Sequence, residues 1–326
     1  MKIQTILRLA TLSGMMLMAL QAGNLTAGGD ALQIPGSARP MALAEAFVAD
    51  AGTVDSLSYN PAGLASVVGR EYSLRLWQKI FSGWTSDLSS GMASIALPIK
   101  SIGTLGAEFK FLKTDSFGEI DPLGVAVPGS TISVQNFAGT VGIGRNIFNH
   151  ISAGANVKYV RDSYADYAFD YIAVDAGILA STLFPGIGYA SLGVAARNIG
   201  VNIVKDASAK SVDLPLTYAA GFKIAVQGNS PHGLMLSSEY NVITTSVNRV
   251  AVGAEYSYDS KYFVRGGYNY FFDHIGTFTV GAGFKLKIKV LKDFQVFANY
   301  AVAPLKDQFS QYAQSFSLTF LNSAAE

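Results

Sequence analysis

The chain has 326 residues, of which 50% are hydrophobic and only 14% charged, with 33 glycines, 16 tyrosines, no cysteine and a formal net charge of +1. An ordinary soluble domain carries about a quarter charged residues, so the chain is short of solvent-facing charge, yet too apolar to be disordered. The missing cysteine excludes a disulfide framework, cysteine-ligated zinc, iron–sulfur centres and a thiol nucleophile, and near-neutrality gives no bulk reason to bind nucleic acid.

The first elements follow in chain order. Lys2 and Arg8 precede an apolar run from Leu9 to about Ala22, which is the layout of a secretory signal peptide. The run is shorter than the roughly 20 residues a membrane helix needs. Cleavage is expected after Ala22 or Ala27, each with Leu at the −3 position. Residues 28–70 lack alternation. The run 36–50 (GSARPMALAEAFVAD) is alanine-rich, and Ser37 ahead of Pro40 reads as a helix start. Further on, in 56–65 (SLSYNPAGLA), Asn60-Pro61 suits a turn or an N-cap with proline at the first helical position. A compact helical segment of about forty residues is therefore expected here.

From Tyr72 to the C-terminus the pattern changes to period two. Leu105, Ala107, Phe109 and Phe111 share one parity and Gly106, Glu108 and Lys110 the other. Phe278, Val280, Ala282, Phe284 and Leu286 oppose Thr279, Gly281, Gly283, Lys285 and Lys287. Segments at 262–271 and 313–321 alternate in the same way. Strands of about 9–11 residues are long enough to cross a bilayer when tilted. The strand charges fall on the parity opposite the large apolar residues: Arg75, Glu108, Lys110, Lys158, Asp175, Arg197, Lys223, Glu239, Arg249, Glu255, Arg265 and Lys285. Tyr72, Tyr159, Tyr189, Tyr240, Tyr256, Tyr262 and Tyr300 sit near strand ends, as interfacial girdles do. These features favour an all-β transmembrane barrel over a secreted β-sandwich.

About fourteen strands are predicted, near 71–77, 91–98, 103–112, 134–145, 151–161, 170–180, 188–198, 214–225, 233–241, 247–257, 261–271, 276–287, 294–303 and 313–321; twelve would remain if the second and fourth fail. The links 78–90, 113–133, 162–169 and 199–213 are longer, and 99–102, 146–150, 227–232 and 259–260 are tight. Long loops at one rim and short turns at the other is the habit of outer-membrane barrels. The expected organisation is a signal peptide (1–27), a plug (28–70), a barrel (71–321) and a short tail (322–326). A barrel of this size leaves an interior that wall side chains alone do not fill, which gives the plug a place in the lumen.

The run 36–49 followed by Tyr59-Asn60-Pro61-Ala62-Gly63-Leu64 resembles the N-terminal hatch of the FadL/TodX outer-membrane transporters. It looks closer still to the related PorV/PorQ-like and UPF0164 families. Ala42 and Ala44 stand where glycines are common in that first helix. The resemblance implies a fourteen-strand barrel plugged by its N-terminus that passes hydrophobic molecules such as long-chain fatty acids. Gly36, Arg39, Asn60, Pro61, Ala62 and Gly63 would be the hatch residues that gate it, beside a hydrophobic pocket. The alternative from the PorV-type relatives is a scaffold that binds a protein partner in secretion, with Trp77, Phe81 and Trp84 as a docking rim. Outer-membrane lipid and barrel-insertion machinery are the other implied partners.

No enzyme chemistry is expected. His150, His232 and His274 fall in turns without a converging nucleophile and acid. Val141-Gly142-Ile143-Gly144 lacks the Lys-Ser/Thr of a phosphate loop and lies in a strand. Asp115, Glu119 and Asp121 read as solvated loop acids. No cofactor is implied, and lumenal charges of both signs give no ion selectivity.

Overall fold

The computed structural model describes residues 28–80, 88–114, 117–120, 126–164, 167–203, 213–227, 230–273, 275–288, 294–305 and 308–322. The signal-peptide segment, Phe81, Trp84, Asp115, Asp121 and His274 lie outside them.

Fourteen antiparallel strands close into one barrel. In chain order they are β1 (Arg70–Ile80), β2 (Leu88–Ile99), β3 (Gly103–Thr114), β6 (Val134–Phe148), β7 (Ile151–Tyr164), β8 (Tyr167–Phe184), β9 (Gly188–Asn202), β10 (Thr217–Val226), β11 (His232–Ile243), β12 (Arg249–Tyr258), β13 (Tyr262–Phe271), β14 (Ile275–Lys287), β15 (Phe294–Leu305) and β16 (Gln308–Asn322). Each pairs with its sequence neighbours, and β1 closes on β16 with Tyr72 opposite Phe320. Two extra strands, β4 (Phe117–Ile120) and β5 (Ala126–Ile132), pair only with each other inside the long β3–β6 link. Glu119 lies on β4.

Side-chain alternation decides the two faces. The outward parity is apolar: Phe278 is 70% exposed and Leu192 65%. The seven tyrosines named above are all on the exposed side. The inward parity carries the charges, and Arg75, Glu108, Lys110, Lys158, Asp175, Arg197, Lys223, Glu239, Arg249 and Arg265 are buried. A fold that exposes leucine and buries lysine is inside out for water. It suits an apolar surrounding, with closure leaving no strand edge unpaired.

Two expectations are corrected here. The link 162–169 is not a long loop: β7 and β8 stay paired as far as Tyr164 opposite Tyr167. The alanine-rich run forms only a short helix, α1 (Ala38–Ala42), followed by a second, α2 (Ser56–Tyr59), with 3-10 turns at Asp30–Leu32 and Pro61–Ser66. Ala44 and Glu45 have positive φ, 53° and 60°, which ends helix geometry. The cause is the wall. The Ala44 amide donates to Thr279 Oγ1 at 3.1 Å, and the Phe47 and Val48 amides both donate to Glu239 Oε2 at 2.7 Å. Tertiary partners thus outbid helix propensity.

Candidate functional site

The segment from Gly28 to Gly69 touches the inward face of every barrel strand. Pro35 and Gly36 carbonyls accept from Arg75 on β1, and Leu57, Leu64 and Val67 pack on Ala96 of β2. Ser58 Oγ donates to Glu108 Oε2 on β3 at 2.7 Å. Asp30, Leu57, Asn60, Ala49 and Asp50 bond in turn to Asn136, Asn156, Ile178, Ser191 and Lys223 on β6 to β10. Val48, Arg39, Leu43, Ala44, Ala42 and Ala38 meet Glu239, Glu255, Gly267, Thr279, Ala301 and Ser317 on β11 to β16. Contact with fourteen strands around a closed ring places the segment in the lumen.

The ends of its short helices are anchored rather than self-capped. Ser37 stands at the N-cap of α1, but its hydroxyl donates to Asp55 Oδ2 at 2.7 Å. Asn60 does cap the second 3-10 turn: its Oδ1 accepts from Ala62 N at 3.1 Å, with Pro61 next in line. The same amide donates through Nδ2 to Val48 O at 2.8 Å and Ile178 O at 3.2 Å. One side chain therefore ties the turn to the preceding loop and to the wall.

Glycines on the inward parity let backbone approach backbone. A Cβ on Gly144 would lie 2.5 Å from Pro61 O, one on Gly267 2.6 Å from Ala44 N, and one on Gly253 2.8 Å from Leu43 O. Gly154, Gly177 and Gly193 are likewise filled by Pro61, Asn60 and Val48. Cross-strand pairing brings these residues together, Gly144 opposite Gly154 and Gly154 opposite Gly177. The wall is thus recessed where residues 42–62 run against it.

Charge completes the lock. Arg39 donates through Nη2 to Asp50 at 2.9 Å and through Nε to Glu255 at 3.0 Å. Lys223 donates to Asp50 at 2.8 Å, Arg265 to Glu255 at 2.5 Å and to Asn299 at 2.8 Å. This chain of alternating charge crosses the lumen from β10 to β15 through Arg39. Arg39 also lies 5.1 Å from the Phe47 ring centroid. Burial would raise the Asp50 carboxyl, but Arg39 and Lys223 hold it down at about 2. Asp55 has no such cation at bonding distance among the described residues, and burial pushes it up to about 6 despite the Ser37 hydroxyl.

A second polar set surrounds a cavity of about 80 Å³ lined by Glu45, Ser58, Tyr59, Glu108, Lys110, Thr140, Lys158, Arg197, Asn198, Thr217, Ser246 and Arg249, with apolar walls from Leu32, Ile34, Pro215 and Ile243. It lies beside Pro215, Ile243 and Ser246, where β10 begins and β11 ends. The cations are paired: Lys158 with Asp175 at 2.7 Å, Lys110 with Glu108 at 3.3 Å, Arg197 with Glu239 and Arg249 with Glu45 at 3.4 Å each. Asp175 sits at an irregularity between β8 and β9, where it accepts from Asn198 N at 2.7 Å.

This cavity is not the hydrophobic pocket expected beside residues 60–63. The cavity touches the neighbouring Ser58 and Tyr59, its lining is charged, and Asn60, Pro61, Ala62 and Gly63 are packed into the wall. Among the residues singled out from sequence, Gly36, Arg39 and Asn60 bond to wall or lock groups. The lumenal charges divide between the lock (Glu255, Arg265) and the cavity (Glu108, Lys110, Lys158, Arg197, with Asp175 and Glu239 behind). Lys285 stands apart: it is half-exposed, 5.1 Å from the Phe297 ring. Asp50, Glu45 and Ser58 were not singled out, because nothing in a helix-like run marks which polar residue meets the wall. The glycine recess was legible in part, since Gly106 shares its parity with Glu108 and Lys110.

No protein-family model matches the sequence, and no curated protein matches it. Solved structures do match. A Pseudomonas aeruginosa FadL homologue aligns with a TM-score of 0.53 at 11% identity, covering 88% of this chain and 98% of that one. The Ralstonia pickettii toluene transporter TbuX aligns at 0.55 and 12%, covering 88% and 97%. A TodX mutant described as a monoaromatic hydrocarbon channel aligns at 0.57 and 13%, covering 88% and 98%. At this identity the likeness establishes a shared fold: this chain has the FadL-like fourteen-strand barrel.

Proposed function

We propose that the chain is an outer-membrane barrel through which small hydrophobic molecules, monoaromatic hydrocarbons or long-chain fatty acids, pass once the lumenal hatch moves. The observation that carries this reading is the hatch itself, a segment touching all fourteen strands inside a barrel with an apolar exterior. The hydrocarbon channels and transporters of the same fold support the substrate class. Charged residues line the cavity, so an apolar ligand finds no ready seat there. Passage must therefore go through rearrangement of residues 36–63, with Arg39 and Asn60 as the contacts to be broken. Export by a cleaved signal peptide and insertion into the outer membrane belong to the same reading.

Uptake of radiolabelled toluene or oleate into proteoliposomes tests it. Uptake above that of protein-free vesicles is expected, and uptake equal to theirs would refute transport. A second reading, a partner-binding scaffold, draws on the density of the lock, since a hatch held at every strand suits a barrel that stays shut. It predicts no uptake, together with a stoichiometric protein partner retained on native purification.

A further inference from the structure

The leading end of the hatch runs into a buried acidic pocket. Gly28 N donates to Asp213 O at 2.9 Å, and Gly29 N donates to Asp162 Oδ2 at 2.5 Å. Asp30 Oδ2 accepts from the Tyr164 hydroxyl at 2.5 Å and from Asn136 Nδ2 at 3.0 Å. Asp30 and Asp162 are 2% and 0% exposed, and the second oxygen of each, Oδ1, is buried without a hydrogen-bond partner among the described residues. Among the described residues no lysine or arginine pairs with either carboxylate. Elsewhere in the lumen Asp50, Asp175, Glu239 and Glu255 each face a cation. Two neighbouring buried carboxylates without a counter-charge among the described residues are costly, and the arrangement asks for a cation.

We propose that this cation is the α-ammonium of Gly28, created when the export peptidase cuts between Ala27 and Gly28. Hydrolysis of that amide sends the oxygen of water to the Ala27 carboxylate and leaves the Gly28 nitrogen as a protonated amine. Three observations converge on the position. The Gly28 nitrogen is one residue from the amide that already bonds Asp162. A Cβ on Gly28 would lie 3.5 Å from Asp162 Oδ2, so the residue borders that carboxylate. The same Cβ would lie 2.5 Å from the Tyr171 hydroxyl, so a larger first residue would have to push that ring aside. An α-ammonium offers three donors where the amide offers one: one keeps the Asp213 carbonyl and the others turn to the carboxylates. Its ordinary pKa near 8 keeps it charged at neutral pH. Cutting after Ala22 would leave Gly28 a neutral amide inside the chain and the pocket uncompensated.

Processing is thereby coupled to seating of the hatch. This inference rests on the export reading and is independent of what the barrel carries. N-terminal sequencing of the protein purified from outer membranes should return Gly28. Acylation of the folded protein, followed by mass spectrometry of the N-terminal peptide, should label that amine at least ten-fold more slowly than in denaturant. The D30N/D162N double variant, checked for an intact barrel by its heat-dependent gel mobility, should recover fast labelling. A terminus at Gly23 overturns the inference alone, whereas one at Met1 overturns export as well. Labelling at the denatured rate overturns the inference too, as does protection unchanged in the double variant, which would mean plain burial.

Discussion

At the scale of single residues, the lumen is a place where charge is permitted only in company. Asp50 is the clearest case, held between Arg39 and Lys223. Removing one member of such a buried set strands the others, at a cost of about 3–5 kcal/mol. D50N is therefore expected to lower the melting temperature of the purified barrel and to expose the hatch to protease; an unchanged digestion pattern would remove Asp50 from the lock. The two hatch aspartates respond to pH with opposite signs. Asp50, held down at about 2, stabilises the docked hatch at ordinary pH and loses that contribution as pH falls below about 4. Asp55, pushed up to about 6, contributes fully below its ordinary 3.8 and loses that contribution as pH rises through 6. Docking should be firmest near pH 4, and D55N should abolish the decline between about pH 4 and pH 6. Melting curves recorded from pH 3 to pH 8 for both proteins decide this.

At the scale of elements, two features show how a wall can dictate the shape of what it encloses. The run 36–50 has helix-forming alanines, yet the helix stops at Ala42 because Thr279 and Glu239 take the amides that would have continued it. Sequence reading finds the helix start at Ser37 and the turn at Asn60, since both depend on local chemistry. It cannot find the stop, which depends on residues about 190 to 240 positions away. The β4–β5 hairpin escaped for the reverse reason: the lipid-out, lumen-in contrast that marks the barrel strands is missing from 117–132. Asn60 is the hinge between hatch and wall. N60A removes a cap and two donated bonds, and should cost about 1–2 kcal/mol of stability. G177V should do more, since its side chain would occupy the Asn60 amide position; a cysteine placed at Ala62 should then react with a maleimide. Continued protection of that cysteine would show that the turn does not depend on the glycine recess.

At the scale of the whole molecule, all fourteen barrel strands were legible because lipid outside and a polar lumen inside impose one alternation on each of them. The pairing order followed from short connections. The content of the lumen was less legible. Composition shows that glycine is abundant and charge scarce, but the pairing of Gly144 with Gly154, or of Glu255 with Arg39, appears only once register and hatch path are fixed. The cavity described above is charged rather than apolar, since it lies among paired ions while Asn60, Pro61, Ala62 and Gly63 are packed into the wall. On the proposed reading, a barrel filled in this way carries hydrophobic cargo only by moving its lumenal segment. The absence of native cysteine allows that claim to be tested directly with one engineered disulfide, A38C/S317C, at a place where the Ala38 amide already lies 3.3 Å from Ser317 Oγ. Toluene or oleate uptake into proteoliposomes should stop when the pair is oxidised and return when it is reduced. Equal uptake in both states would contradict a moving hatch.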